Sequence, residues 1–155
     1  MTIETRDIAK AEIGCIKPLW EELNRIHLAD SVHFKDHYRS FTFEKRMGTL
    51  LEREDANLKI TAAFSGATAL GYCVSTIAGT DGEVEALCVH ESIRGEGIGR
   101  DLVQSHIAWM KARGCQRIRV SVSHGHDSPL GFYHKLGFRE RLLVLELQDQ
   151  KTEGN

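Results

Sequence analysis

The stretch Leu87-Cys88-Val89-His90-Glu91-Ser92-Ile93-Arg94-Gly95-Glu96-Gly97-Ile98-Gly99-Arg100 places a strand, a glycine-rich turn and the start of an amphipathic helix in direct succession. That succession suits a phosphate. Glycines let the backbone approach a bulky anion, while the first-turn N–H groups of a helix lack intrahelical partners and the helix dipole adds positive potential. Each exposed charge–dipole contact is worth about 0.3–1 kcal/mol, so several converging donors hold a diphosphate. Two other phosphate loops fit poorly. A Walker A loop requires Gly-Lys-Ser/Thr, whereas Ile98-Gly99-Arg100 follows Gly97. A dinucleotide fingerprint requires GxGxxG near the start of a βαβ unit, whereas Gly95, Gly97 and Gly99 fall at every second position after several antiparallel strands.

Working outward, residues 83–89 read as the strand, with Glu83, Glu85, Leu87 and Val89 on one face by simple alternation. Residues 58–64 and 69–77 form the preceding antiparallel pair, joined at Ser65-Gly66, and Gly79-Thr80-Asp81-Gly82 turns into the next strand. Upstream, residues 3–7 read as a first strand. Ile16, Leu19, Trp20, Leu23 and Ile26 recur at helical spacing, with Pro18 tolerated in the first turn. Residues 30–40 look irregular, and Thr42 is a candidate N-cap for a second helix whose buried face holds Phe43, Met47, Leu50 and Leu51. Downstream, Leu102, Val103, Ile107 and Met110 mark a helix ending at Gly114. A strand over residues 117–122, a short helix over 129–136 and a final strand over 138–147 complete the order β-α-α-β-β-β-α-β-α-β.

The 155 residues, 41% hydrophobic and 27% charged, suit one domain spanning residues 1–155. A net charge of −2 provides no basic surplus for nucleic acid or anionic membrane. No apolar run reaches the length of a membrane span, and charges at Glu4, Arg6 and Asp7 interrupt the place of a signal peptide, so a cytoplasmic location is expected. Cys15, Cys73, Cys88 and Cys115 form no CxxC pair and read as reduced core thiols.

The segment Arg94-x-x-Gly97-x-Gly99 resembles the R/Q-x-x-G-x-G/A cofactor loop of the GNAT N-acetyltransferase superfamily. Val84-Glu85-Ala86-Leu87-Cys88-Val89 is similar to the family's fourth strand, and Phe132-Tyr133-His134-Lys135-Leu136-Gly137-Phe138 matches its FYxxLGF segment, so the likeness covers residues 82–139. The resemblance implies a mixed α/β fold, a twisted, mostly antiparallel sheet of about six or seven strands flanked by four helices. It implies acetyl-CoA as co-substrate, with the pantetheine arm along Leu87, Cys88 and Val89, and the pyrophosphate on the backbone amides of Gly95, Glu96, Gly97, Ile98, Gly99 and Arg100, beside Arg94. The Val89 N–H would polarise the thioester carbonyl.

Transfer to an amine requires the ammonium to lose a proton and the departing thiolate to gain one. The resemblance makes Tyr133 the candidate acid. Glu85 and Glu83 share a strand face and are the candidate bases, Glu85 slightly favoured as the nearer to the thioester. Cys88 is expected to point away from Glu85, into the core, which disfavours a covalent acyl carrier. Many family members place asparagine six residues before the FYxxLGF phenylalanine, and it contacts the pantetheine. Here His126 stands in its place, available for cofactor binding or proton transfer. His124, His126 and Asp127, and His33 with His37, lack a third metal ligand at sensible spacing, so no metal is expected.

Phe34, Tyr38 and Phe41 are candidates to line the acceptor site between the first two helices. The reading is N-acetyl transfer to a primary amine of a small molecule by direct attack in a ternary complex. A protein or peptide amine as acceptor, or a non-catalytic acyl-CoA sensor, stays open as an alternative. Family resemblance suggests a homodimer, although no apolar stripe in the sequence demands one.

Overall fold

The structure, a computed structural model, describes residues 2–123 and 129–148. Five strands stand in sequence order in one sheet: β1 (Glu4–Asp7), β2 (Leu58–Ser65), β3 (Thr68–Ala78), β4 (Asp81–Val89) and β5 (Arg117–Val120). β1 to β4 are antiparallel neighbours; β5 returns parallel to β4 after a crossover through helix α4 (Ile98–Ala112). Three helices precede β2: α1 (Lys17–Asp30), α2 (Lys35–Ser40) and α3 (Phe43–Leu50). A short helix, α5 (Leu130–Lys135), follows β5.

Local chemistry accounts for most of these boundaries. Pro18 occupies the first turn of α1, where its missing N–H removes no helix bond. Thr42 caps α3 as expected, its Oγ1 accepting from the Lys45 N–H at 3.2 Å, and Phe43, Met47 and Leu50 go into the core. Gly114 ends α4 with φ +84°, a conformation that other residues rarely adopt.

The sheet has a core on each face. On one, Ile16 at the N-cap of α1, Trp20 of α1, and Met47 and Leu50 of α3 pack against Ile60, Ala62, Tyr72 and Val74. On the other, α4 and α5 pack Leu102, Val103, Met110 and Tyr133 against Cys73, Ile77 and Val84. A buried histidine pins α4 to this second face. Thr61 Oγ1 donates to Asp7 Oδ1 at 2.6 Å, so its oxygen accepts from His106 Nε2–H at 2.9 Å, and Ser75 Oγ donates to His106 Nδ1 at 2.7 Å. Burial, aided by the Lys59 charge, pushes the His106 pKa down to about 3, so the ring is neutral.

The structure corrects several expectations. Residues 30–40 are not wholly irregular: α2 forms there, packed against α1, because Asn24 Nδ2 ties down the Tyr38 carbonyl at 2.8 Å and the Phe41 carbonyl at 3.3 Å. The described residues therefore hold five α-helices rather than four. The final strand over 138–147 is not formed, leaving five strands among the described residues rather than six or seven. Phe138 packs into the second core, and beyond it Arg139 donates to the His134 and Phe138 carbonyls while Glu140 bonds His134, which steers the chain away from β5. Against the expectation of no apolar stripe, Leu142, Leu143, Val144, Leu145 and Leu147 all lie exposed.

Candidate active site

β4 and β5 part company halfway. Their pairing runs from Asp81 with Arg117 to Val84 with Val120, while β4 continues five residues further, to Val89. The cause lies at Glu85. On β3, Val74 pairs with Ala86 and Ser75 with Val84, so Glu85 is an extra residue, a β-bulge, which bends and twists the strand. The Glu85 carbonyl, unpaired in the ladder, accepts from Arg46 Nη2 at 3.0 Å.

Beyond the bulge, strand alternation decides which amides face the gap. The His90 N–H donates to the Leu70 carbonyl at 2.7 Å. Every second residue of an antiparallel ladder points to the same neighbour, so Cys88 also addresses β3, and Leu87 and Val89 aim their N–H groups away from it, toward the gap. The bulge also overturns the expected face for Cys88. Two successive residues, Glu85 and Ala86, face the α1 side, and Cys88 then follows them into that core while Leu87 joins the α4 core. Burial raises the Cys88 thiol to about 11, so it is protonated and unreactive near neutrality.

At the outer end of the gap sits the glycine loop. Gly95 and Gly97 have φ of +83° and +81°, and Gly97 caps α4 with no side-chain hydrogen bond. The helix ladder starts with Asp101 N–H to the Gly97 carbonyl at 3.0 Å. Among the described residues, no hydrogen bond occupies the N–H groups from Gly95 to Arg100, while Arg94 Nε closes the loop onto the Val89 carbonyl at 3.0 Å. A Cβ on Gly99 would touch the Phe132 ring and Val89 Cγ2, each at 3.5 Å, which explains the small residue where helix, strand and α5 converge. A row of unsatisfied donors and a strand with open amides fit the diphosphate and the pantetheine amides of coenzyme A.

Loop and gap belong to one cleft of about 1350 Å³, which continues between the sheet and α1–α2. Leu87, Cys88, Val89, Arg94, Gly95, Gly97, Ile98, Gly99 and Arg100 line it; the Glu96 side chain points to solvent and does not. Tyr133 lines it too, 5% exposed, held edge-on by Phe132 and Phe138 at 5.0 and 5.6 Å. Burial raises its phenol pKa, keeping it a proton donor at neutral pH. Glu83 and Glu85 both reach the cleft. Arg119 Nε donates to Glu83 Oε1 at 2.8 Å, whereas Glu85 is clasped on both oxygens, by Arg46 Nη2 at 3.1 Å and Thr76 Oγ1 at 2.6 Å.

On the acceptor side, Tyr38 and Phe41 line the cleft, with His27 stacked on Tyr38 at 5.4 Å and His37 on Phe41 at 5.3 Å. Phe34 does not: it stands at the non-helical N-cap of α2 (φ −121°, ψ +34°), its ring edge-on to His33 at 6.5 Å. His126 lies outside the described residues, as do His124 and Asp127. Among the described residues, no three metal-binding side chains converge, and no helix is long and apolar enough to cross a membrane.

Several cleft residues carry no signal in the sequence. Arg46 sits on α3 among residues that read as solvated surface, and only the fold brings it to Glu85. Tyr72 lines the cleft floor from β3, fully buried, and its hydroxyl has no hydrogen-bond partner among the described residues.

Fold and loop define a coenzyme A-dependent acyltransferase. Residues 19–138 match the model of the acetyltransferase (GNAT) family, and the chain belongs to that family: it is an acetyltransferase whose acetyl donor is acetyl-CoA. Solved structures share the fold at low identity. PaiA N-acetyltransferase from Thermoplasma acidophilum, in complex with coenzyme A, aligns at 20% identity over 90% of this chain and 91% of that one, TM-score 0.71. A tetramutant of the BH1408 protein from Bacillus halodurans aligns at 22% identity over 95% and 99%, TM-score 0.74. The aminoglycoside N-acetyltransferase AAC(6')-Iy, in complex with CoA, aligns at 16% identity over 95% and 99%, TM-score 0.67.

Proposed function

We propose that this acetyltransferase acts on a primary amine of a small molecule, by direct attack in a ternary complex. One observation carries the reading: the unpaired amides of the α4 entrance and the open amides of β4 face the same cleft that α1 and α2 wall with aromatic rings. When bound, acetyl-CoA supplies an activated thioester. Gly95 through Arg100 grip its diphosphate through main-chain N–H groups, with Arg94 and Arg100 adding positive charge. The Val89 N–H, aimed into the gap, donates to the carbonyl oxygen as it gains charge.

Glu83 and Glu85 favour a cationic ammonium in the acceptor arm. Glu85 is occupied on both oxygens, so it positions the amine. Glu83 keeps one carboxylate oxygen without a partner among the described residues and takes the proton through water. Tyr133 returns a proton to the departing sulfur. Tyr38 and Phe41 hold the apolar part of the acceptor, and the lone hydroxyl of Tyr72 donates to an oxygen it carries or to a bridging water.

The test is thiol release from acetyl-CoA across amines: polyamines, aminoglycosides, amino acids and short peptides. Turnover with a small amine supports the reading. Turnover with peptides alone replaces the acceptor class, and silence with tight cofactor binding replaces catalysis by sensing.

A further inference from the structure

Among the described residues that line the cleft, the lysines and arginines are Arg46, Arg94, Arg100 and Lys135. Arg94, Arg100 and Lys135 belong to the glycine loop, α4 and α5, which leaves Arg46 as the cation of the acceptor arm. Its neighbours hold it in place. Arg46 Nη2 donates to both the Glu85 carbonyl and Glu85 Oε1, and Thr76 Oγ1 fixes the other oxygen of that carboxylate. Nη1, with two N–H groups, and Nε find no partner among the described residues. A fixed guanidinium with donors to spare matches a carboxylate.

Tyr72 supplies a second donor. It pairs with Cys88 across β3 and β4 and stands in the α1-side core, the side that Glu85, Ala86 and Cys88 also face. The residue is 0% exposed, yet its hydroxyl at the cleft floor has no partner among the described residues. A buried hydroxyl left unpaired costs free energy that a ligand oxygen restores. Burial raises the phenol well above its usual pKa, which keeps it a donor, and the Arg46 charge is near enough to act on it in the opposite direction. Along β4, Ala86 lies between Glu85, where Arg46 is bonded, and Cys88, where Tyr72 pairs, and it gives the cleft only a methyl group.

The charges nearby argue against a polycation. Glu83, Glu85 and Asp30 line the cleft, and Arg119 and Arg46 already pair with the first two. Two ion pairs leave little surplus negative charge for an acceptor with several ammonium groups, whereas they suit one ammonium and one carboxylate. We propose that the acceptor is an amino acid, its amine beside Glu83 and Glu85 and its carboxylate between Arg46 Nη1 and the Tyr72 hydroxyl; this assignment rests on the small-molecule amine reading. The ammonium loses one proton to Glu83 through water, and its nitrogen attacks the thioester carbon. The C–S bond breaks, Tyr133 protonates the thiolate, and the second proton lost by nitrogen as the amide forms restores the phenol, leaving an N-acetyl amino acid and coenzyme A.

Rates of thiol release by the full chain test this on acceptors that differ in the carboxylate: the best of the common amino acids, its carboxamide and the amine without either group, beside spermidine and kanamycin. The amino acid exceeds its carboxamide in kcat/KM by about 10- to 100-fold, mainly through KM, and also exceeds both polycations. Arg46→Gln cuts the advantage over the carboxamide to about threefold or less, whereas damage to Glu85 or to the fold would fall on both acceptors alike and leave the ratio where it was. Arg46→Lys, which keeps the charge, retains an advantage of at least about fivefold. A carboxamide used as well as the amino acid, a ratio that survives Arg46→Gln, or a polycation preferred to every amino acid would overturn the carboxylate site while leaving small amines as acceptors. Silence with every small amine would overturn that reading and this one together.

Discussion

The two arms of the cleft are built from different materials. The cofactor arm is main chain: amides at the α4 entrance and along β4, shaped by Gly97, Gly99 and a bulge. The acceptor arm is side chain: Tyr38, Phe41, His27, His37 and Tyr72, contributed by the neighbouring α1 and α2 and by the distant β3. Main chain offers every relative the same donors, so this arm suits an invariant ligand. Side chains vary one by one, so the other arm suits a ligand that differs between enzymes.

The sharpest break between the arms is expected from Gly97→Glu. The left-handed backbone at Gly97 strains any side chain, and the carboxylate repels the diphosphate, so calorimetric affinity for acetyl-CoA falls on the order of 100-fold or more. The acceptor arm is untouched, and unchanged affinity would remove the loop from the cofactor arm.

The next effect tests how firmly α4 is anchored. The folded-state pKa of His106, about 3, lies below the 6.5 of the unfolded chain. Stability is therefore full above pH 6.5 and falls as pH drops from there toward 3, at roughly 1.4 kcal/mol per pH unit from this group. In His106→Gln, whose amide can bond both Thr61 and Ser75 without titrating, denaturation midpoints decline less over that range. Parallel declines in both proteins would assign the acid loss to other groups.

Tyr133→Phe acts where the arms meet, lowering turnover about 10- to 100-fold with cofactor affinity within twofold. If turnover holds, the sulfur takes its proton from water or another side chain. Smallest is Tyr72→Phe, confined to the acceptor arm. Loss of one hydrogen bond raises the acceptor KM about 2- to 10-fold and leaves the acetyl-CoA affinity unchanged. An effect on acetyl-CoA instead would move Tyr72 to the other arm.

The same division governs how much could be read in advance. Glycine spacing announces a backbone site because glycine is chosen for what the main chain must do, and so Gly95, Gly97 and Gly99 gave the loop away. Thr42 and Gly114 announced helix ends for the same reason. Simple alternation fails at Glu85, since nothing in Val84-Glu85-Ala86 signals an extra residue, and it therefore puts Cys88 on the wrong face. Arg46 and Tyr72 acquire meaning only from partners across the fold. His106 was readable in principle: it shares the Leu102, Val103 and Met110 face of α4, where a polar residue has to find buried partners. The final strand was legible as a pattern, but a strand also needs an edge, and the segment's own ties keep it from the one its own chain provides.

One extra residue at position 85 has a double consequence. Delete it and the ladder with β3 becomes continuous, every remaining side chain of β4 keeps its face, and little then prevents β5 from following its neighbour past Val120. The opening would zip shut, and the carboxylate at its lip would vanish in the same event. Crevice and carboxylate thus hang on a single position, and on the length of the strand rather than on its lettering.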